Sequence, residues 1–345
     1  MRYAFTIKEL LVVMFIISAS LFILAPAIYD GHRPARRIQC QNNLKQLILA
    51  MHNYHDTFGH FPSAMSGTGT GGNEGRRSGM VDLLPMMEYP HLYDEIMQGD
   101  PSTGIPPGGP VPWDRNYKPW QTRVYCLQCP ASLADTPDFQ ATNYAFCIGD
   151  VAVDIHQLPQ LRGAFAPGLT STFRDFTDGT ANSIALAEMG TIRDRDVPGQ
   201  YAIDLPPNVL NDPAIALRMV NSNQLTYRSE VALHKYGRGY NWADGAAGPG
   251  LVNTILSPNG PSCAVGGSGA VDGIYSAGSY HPGGVQVGMC DGSARFITDK
   301  IDCGNTSAAP PKADDYAGKE LASPFGVWGA LGTINGGELV NNDDY

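Results

Sequence analysis

The chain has 345 residues, 43% of them hydrophobic and 16% charged, so it can bury a core and is not a disordered polyampholyte. Its 40 glycines and 26 prolines predict many turns and short strands. The net charge of -10 argues against a general affinity for phosphate backbones, and we expect no nucleic-acid partner.

Basic side chains are concentrated at the amino terminus. Residues 1–50 contain six Lys and Arg but only two Asp and Glu, whereas the rest of the chain is strongly acidic. A basic amino-terminal segment before an acidic body is typical of exported, membrane-anchored proteins. In an oxidising compartment, seven cysteines would leave at least one thiol unpaired or bonded to another chain.

Residues 10–28 form an uncharged apolar run. As a helix this run would be about 28 Å long, close to the hydrocarbon thickness of a bilayer, so we expect a membrane-spanning helix. A plain anchor and a secretory signal peptide cleaved near Ala25 to Ala27 are alternatives. Glu9 lies directly before the run, which argues against both, because a carboxylate drawn to mid-membrane depth costs about 3 kcal/mol and signal peptides normally begin with basic residues.

Residues 4–13, AFTIKELLVV, resemble the prepilin signature of type IV pilins and type II secretion pseudopilins. The resemblance implies that a prepilin peptidase cleaves between Ala4 and Phe5 and that the new Phe5 amine is N-methylated. It also implies that Glu9 pairs with this amine on a neighbouring pilin-like subunit as the filament assembles. Lys8 offers Glu9 a local alternative partner.

An amphipathic helix is predicted after the apolar run. Pro26, Gly31 and Pro34 lie between the two helical stretches, so they form either one kinked helix or two. We expect the apolar stripe of the second stretch to pack on a sheet. The stripe comprises Leu44, Leu47, Ile48, Met51, Tyr54 and Phe58, and the opposite polar face Gln39, Asn42, Asn43, Lys45, Gln46 and Asn53.

Several later blocks narrow the resemblance to a large bacterial group of prepilin-type proteins with a processing-associated H-X9-DG domain of unknown function. The resemblance identifies two sets of signature residues without assigning them a role. Residues 191–275 show little resemblance and form a candidate substrate-specific insertion. The signature residues are Asp178, Gly179 and Asn182, and then His281, Asp291 and Gly292; further matching blocks are Gln39–Gln46, Cys129-Pro130, Glu188 and Gly336–Glu338.

The H-X9-DG motif lies in a predicted β-hairpin. Alternating runs at 285–290 and 293–297 flank Asp291-Gly292, a dipeptide suited to a type I′ turn. This turn would place Val287 opposite Phe296 and Met289 opposite Ala294. His281 would then lie about 20 Å from the turn, so we expect no His281–Asp291 catalytic pair.

Other candidate sites have simpler interpretations. Residues 178–182 offer oxygen ligands at alternate positions, as calcium prefers, but the bidentate Glu at loop position 12 is missing, so we expect a turn. Cys126 and Cys129 have zinc or redox spacing without a second ligand pair, which favours a disulfide or two free thiols. We predict no metal site and no cofactor.

The four tryptophans are predicted first as core or interface residues: Trp113, Trp120, Trp242 and Trp328.

The sequence therefore predicts an α+β, pilin-like fold in which a long amino-terminal α-helix packs on an antiparallel sheet with long loop insertions. Common hydrolase and nucleotide motifs are absent from the sequence, so we expect a non-enzymatic subunit that assembles into, or primes, a pilus-like or type II secretion-like filament. We expect a single-pass inner-membrane protein with an extracytoplasmic domain. The predicted segments are a leader at 1–4, a membrane helix at 5–29, an amphipathic helix at 30–60 and an exported Gly/Pro-rich β domain at 61–345 that contains the 281–297 hairpin.

A membrane-anchored module that binds a glycan or another secreted ligand is the alternative function. An exposed cluster of Trp and Tyr side chains within residues 191–275 would favour that alternative. A buried distribution of the same residues would favour the structural role.

Overall fold

A long amino-terminal helix, α1, spans Ile7–Phe58 in the computed structural model, which describes residues 6–132, 139–269, 271–338 and 340, with 21–33 described by backbone alone. Thr6 caps its start, and Gly59 in the left-handed conformation ends it. The two predicted helical stretches therefore form one helix. Among the described residues, no helix has the length and hydropathy that crossing a membrane requires. Part of the predicted span, residues 21–28, lies outside the described side chains.

Within the described residues, ten short strands form three sheets. The largest sheet has five strands in the order β10-β9-β4-β3-β6, beside a three-stranded sheet, β5-β7-β8, and the pair β1-β2. The strands are β1 (Met65–Ser66), β2 (Arg77–Ser78), β3 (Tyr144–Cys147), β4 (Ile184–Glu188), β5 (Ala202–Leu205), β6 (Leu251–Val252), β7 (Cys263–Val265), β8 (Gly273–Ile274), β9 (Gly284–Met289) and β10 (Ala294–Thr298).

The fold class is α+β, as predicted, but the sheets are mixed and not purely antiparallel. The strands β3 and β6 pair in parallel, as do β5 and β7, whereas the other strand pairs are antiparallel. In each parallel pair, a long stretch of chain that includes loops and 3-10 turns separates the two strands in sequence. Such distant pairing of strands with two to four residues leaves no periodic signal in the sequence.

Both faces of the five-stranded sheet are buried. Along β3, Tyr144 and Phe146 join the core on the α1 side, whereas Ala145 and Cys147 join a second core that includes Trp328. The short helices and the 3-10 turns lie around these layers. The short helices are α2 (Gly79–Asp82), α3 (Pro90–Gln98), α4 (Ala247–Gly250), α5 (Ala313–Tyr316) and α6 (Gly326–Gly332); the 3-10 turns are Leu84–Met87, Lys118–Gln121, Tyr125–Leu127, Ile155–Gln157, Phe173–Asp175, Val197–Gly199, Pro207–Leu210 and Pro213–Met219.

The second half of α1 packs on β9, as its apolar stripe predicts. Gly288 lies in β9 beneath the helix, and a β-carbon there would stand 3.0 Å from the Ile48 side chain and 3.4 Å from that of Leu44. The absence of a side chain lets helix and sheet approach closely. The predicted exposure of two residues is wrong. Phe58 was expected in the buried stripe but is 54% exposed, because α1 ends there. Asn43 was expected on the exposed face but is buried, and it donates its Nδ2 proton to the Gln128 carbonyl at 2.9 Å.

The 281–297 hairpin forms, but its register differs from the prediction by one residue. The Gly292 N–H donates to the Met289 carbonyl and the Met289 N–H donates to the Ser293 carbonyl, with Gly292 at φ 95°. This is a three-residue loop with a bulge, and the predicted two-residue type I′ turn is wrong. The observed pairs are Val287 with Arg295, Gln286 with Phe296 and Gly288 with Ala294.

Candidate functional site

Four chemically distinctive side chains meet beneath the second half of α1. They are Cys40 of α1, Cys129 of a loop, Glu188 at the end of β4 and His281 just before β9. The His281 Nε2 atom lies 3.3 Å from Cys40 Sγ, 3.4 Å from Cys129 Sγ and 3.6 Å from Glu188 Oε1. All four side chains are buried. We call this group the Cys-Cys-Glu-His cluster.

Backbone hydrogen bonds hold two members of the cluster in place. The Cys129 N–H donates to Asn143 Oδ1 at 2.8 Å, and the His281 N–H donates to Ser279 Oγ at 3.1 Å. Asn143 in turn donates its Nδ2 proton to the Met189 carbonyl, one residue beyond β4. The loop that carries Cys129 is thereby tied to the strand that carries Glu188.

A disulfide joins Cys40 to Cys129 and so links α1 covalently to the loop before β3. Of the predicted alternatives, a disulfide or two free thiols, the structure shows one residue of each kind: Cys129 forms the disulfide with Cys40, and Cys126 is free. Five cysteines remain unpaired, more than the single one that an odd count requires. The hydrogen bond from Asn43 of α1 to the Gln128 carbonyl places the helix over this loop, within reach of Cys129.

Glu188 is an unusual carboxylate because it is completely buried. Its Oε2 accepts a 2.8 Å hydrogen bond from the Gln286 N–H, but its Oε1 has no hydrogen-bond partner within the part of the chain that the structure describes. Burial raises the pKa of Glu188 to about 7, although hydrogen bonds from the Gln286 N–H and the Ser279 side chain, and the positive charge of Arg37, oppose the rise. Burial also lowers the pKa of His281, and the nearby positive charges of Arg37 and Arg36 lower it further.

A cavity of about 780 Å³ opens beside the cluster, with His281 and Gln286 in its wall. Among the described residues that line it, the charged ones are all arginines: Arg36, Arg37, Arg193 and Arg295. The Arg37 guanidinium lies 3.5 Å above the Phe296 ring, and Arg193 lies 4.0 Å above the Tyr280 ring. The cluster thus lies behind a basic, partly aromatic opening.

Comparison with known proteins identifies the family. The family described as protein of unknown function (DUF1559) matches residues 32–304, which is more than three quarters of the chain. The chain belongs to the DUF1559 family. No curated protein and no solved structure matches it. The matched segment of this DUF1559 chain contains all four residues of the Cys-Cys-Glu-His cluster.

The two halves of the H-X9-DG motif lie in different parts of this DUF1559 fold. His281 belongs to the cluster, whereas Asp291 lies in the hairpin turn, where its Oδ1 accepts hydrogen bonds from the Ser293 N–H and hydroxyl. Gly292 supplies the positive φ that the turn requires. Among the described contacts, His281 and Asp291 share none.

The other signature segment forms a structural junction. Both Asp178 carboxylate oxygens accept backbone hydrogen bonds, from Gly336 at 2.6 Å and from Gly337 at 2.9 Å. Gly179 adopts φ 93°, and the Asn182 amide donates to the Asp178 carbonyl at 3.2 Å. The carboxylate that a calcium ion would need therefore bonds to the backbone of a late segment of the chain.

The predicted processing residues lie at the edge of the described chain. Ala4 and Phe5 fall outside the described residues. Glu9 forms a capping box with Thr6: its Oε2 accepts 2.8 Å hydrogen bonds from the Thr6 N–H and hydroxyl. The Thr-x-x-Glu pattern at residues 6–9 is the sequence signature of this capping box, which was not among the predictions for Glu9.

The sequence did not predict that the four residues of the Cys-Cys-Glu-His cluster lie together. Cys40, Cys129 and Glu188 each lie in a block that carried the family resemblance, but only His281 was singled out as a signature residue. Each is a good metal or acid-base group by residue type. Their separate positions gave no indication that they meet.

A second cavity, of about 340 Å³, is lined by aromatic rings. Tyr236 and Tyr240 stack with ring centroids 5.2 Å apart, and Tyr201 stacks on His234 at 4.7 Å. Trp113 also lines the cavity and is 39% exposed. Trp120, Trp242 and Trp328 are buried, as the prediction of core tryptophans requires.

Proposed function

We propose that this DUF1559 protein is a non-enzymatic, pilin-like structural subunit. In this proposal a prepilin peptidase cleaves between Ala4 and Phe5, and the first half of α1 anchors the chain in the inner membrane with its carboxy-terminal domain outside the cytoplasm. The processed subunit then joins other pilin-like subunits in, or primes, a pilus-like or type II secretion-like filament.

The contrast between the two halves of α1 carries the proposal. From Leu44 to Met51 the helix buries its stripe on the sheet, whereas the apolar side chains near its start project away from the protein. They cover every side of the helix, and an all-round apolar helix requires an apolar environment such as lipid or neighbouring helices. These side chains are 43–78% exposed: Ile7, Leu10, Leu11, Val12, Val13, Met14, Phe15, Ile16 and Ile17.

Glu9 gives the proposal a specific test, because it has two separable roles. In the capping box it needs only an acceptor oxygen, which a glutamine also provides. In subunit assembly it needs a negative charge to pair with the methylated Phe5 amine of a neighbour. Breaking a desolvated ion pair costs about 3–5 kcal/mol, because the remaining charge stays buried.

We therefore predict that Glu9→Gln preserves processing but reduces incorporation into filaments by about 10-fold or more. Mature protein is purified from the membranes of the producing cell, its amino terminus and mass are determined, and the variant is quantified in the sheared filament fraction. We expect a chain that begins at N-methylated Phe5. The matched control is Thr6→Ala, which removes the cap hydroxyl and keeps the Glu9 charge, and we expect normal incorporation.

Two results would contradict the proposal. An intact Met1, or a start near Ile28, would exclude prepilin processing. Normal incorporation of Glu9→Gln, with a defect in Thr6→Ala, would assign Glu9 to helix capping and not to subunit pairing.

The aromatic cavity favours a second candidate function, the capture of a glycan. Trp113 and Tyr236 are partly exposed at the cavity, and Arg76, His234 and Lys235 line the same cavity and supply polar groups. Sugar rings bind to such combinations of aromatic faces and polar edges. Most aromatic side chains of the 191–275 segment, however, are buried, which favours the structural role.

We expect that, if this second function operates, Trp113→Ala weakens the binding of a soluble oligosaccharide about 10-fold, because it removes one aromatic stacking face. Titration calorimetry with cellotetraose and chitotetraose measures the effect. Tyr125→Ala is the control, since Tyr125 is 68% exposed and lies outside this cavity. Absence of heat with both sugars, or equal weakening by both variants, would argue against a sugar site here.

A further inference from the structure

We propose that Cys40, Cys129, Glu188 and His281 bind one Zn²⁺ ion in the dithiol form of the protein, and that the Cys40–Cys129 disulfide replaces this zinc site on oxidation. The site would fasten α1 to three other segments of the chain. It is independent of filament assembly and of sugar binding.

The distances from His281 to the other three ligand atoms match those of a tetrahedral site. In a zinc complex with ordinary bond lengths of about 2.0–2.3 Å, neighbouring nitrogen, oxygen and sulfur ligands stand about 3.3–3.8 Å apart. The His281 Nε2 atom lies 3.3, 3.4 and 3.6 Å from its three counterparts. The two sulfur atoms must separate, since the S–S bond and a shared metal ion exclude each other, and all four ligand atoms already lie within 4.8 Å of one another.

Glu188 supplies an independent indication of a ligand. Its Oε1 is buried, lacks a hydrogen-bond partner among the described residues and lies 3.6 Å from His281 Nε2, while Oε2 is held by the Gln286 N–H. An unsatisfied buried carboxylate oxygen is costly, and a cation at the centre of the cluster would satisfy it.

The ligand types favour zinc among the common metals. Two thiolates and an imidazole suit a borderline-soft ion, whereas calcium and magnesium prefer oxygen ligands alone. Four protein ligands with no open position are typical of structural sites and not of catalytic ones. The burial of all four side chains agrees with a closed, structural centre.

Conversion of the disulfide form to the zinc-bound form begins with reduction of the Cys40–Cys129 bond. A phosphine reductant breaks the S–S bond and takes up an oxygen atom from water, and the two sulfurs receive two electrons and two protons to become thiols. Zinc binding then releases both protons as the two thiolates coordinate the metal. A small-molecule disulfide oxidant reverses the exchange: it accepts two electrons from the two thiolates and two protons from water and leaves as two thiols, while the Cys40–Cys129 bond re-forms and Zn²⁺ is released.

The test uses the full chain in detergent. Thiol counting under denaturing conditions distinguishes the oxidised form, with five free cysteines, from the reduced form, in which all seven are free. Each form is stripped with a chelator and titrated with Co²⁺ and then Zn²⁺. We expect the reduced protein to bind one equivalent and to show the charge-transfer and d–d absorption of a tetrahedral cobalt–thiolate site, and the oxidised protein to show neither.

Single substitutions identify the ligands. We expect Cys40→Ser, His281→Gln and Glu188→Gln each to weaken zinc binding by more than about 100-fold, the upper range for loss of an outer-shell partner. Cys303→Ser and His52→Gln are matched controls outside the cluster and should leave the affinity unchanged. Circular dichroism confirms that each variant is folded before titration.

Three outcomes would overturn the zinc site. Equal metal binding by the oxidised and reduced proteins would exclude the two cysteines as ligands. A reduced, folded protein that binds no metal would leave only the disulfide. Loss of binding in the control variants, with the cluster variants unaffected, would place the metal elsewhere.

Discussion

His156 is a histidine whose environment favours the neutral ring. Its Nε2 accepts a hydrogen bond from the Ala247 N–H at 3.1 Å, which only an unprotonated nitrogen can do. Burial lowers the pKa of His156 to about 4, and the positive charge of Arg76 contributes to this decrease, while Asp244 opposes it. The folded protein therefore binds this proton more weakly than the unfolded chain does.

Stability should consequently fall as the pH drops from 6.5 to about 4, because only the unfolded state is protonated in that window. The loss is at most about 3 kcal/mol, since each pKa unit corresponds to about 1.4 kcal/mol. We predict that His156→Gln, which keeps an acceptor for Ala247, reduces this dependence on pH. Urea unfolding at several pH values measures it.

The control for this prediction is His91→Gln, because His91 is exposed at the start of α3. Its variant should follow the wild-type pH dependence. If His156→Gln also follows it, the acid sensitivity arises from other groups.

At the scale of secondary structure, periodicity predicted the packing half of α1 well. Leu44, Leu47, Ile48 and Met51 are all buried, because a 3.6-residue repeat brings them to one face. The repeat gave no information about Asn43, whose amide is buried because it finds a backbone carbonyl. A hydrogen-bonding partner in a distant loop is invisible to a pattern of hydrophobicity.

The hairpin shows why a small error in turn type matters. Asp291-Gly292 predicted a hairpin, which is correct, but the loop has three residues and shifts the pairing by one. Because strand side chains alternate between faces, this shift pairs Phe296 with Gln286 instead of Val287. Phe296 thereby lies beneath the Arg37 guanidinium, and Val287 joins the opposite core.

At the scale of the whole molecule, the candidate site depends on long-range topology. His281 is 241 residues from Cys40 and 152 from Cys129, and Cys129 is 89 residues from Cys40. The sequence identified His281 as a signature residue and placed Cys40 on a packing helix. The sequence could not show that His281 and Cys40 both lie over the end of β4. The strand order that brings these two residues together leaves no local pattern in the sequence.

The same topology predicts the contribution of the disulfide to the stability of the whole chain. The Cys40–Cys129 link closes a long loop, and in the chain-entropy account such a link restricts the unfolded ensemble. We predict that the Cys40→Ala/Cys129→Ala double variant loses about 2–4 kcal/mol of unfolding free energy. Its denaturant m-value should rise, because the unfolded chain exposes more surface once the loop is open.

Urea unfolding of the full chain in detergent, with a chelator present, separates this effect from metal binding. Cys303→Ala is the control, since it removes a partly buried free thiol without opening a loop. A double variant that matches this control in both unfolding free energy and m-value would mean that the loop is already closed in the unfolded state. The long-range contacts between α1 and the sheet would then persist without the bond, and the covalent link would add little to what packing already provides.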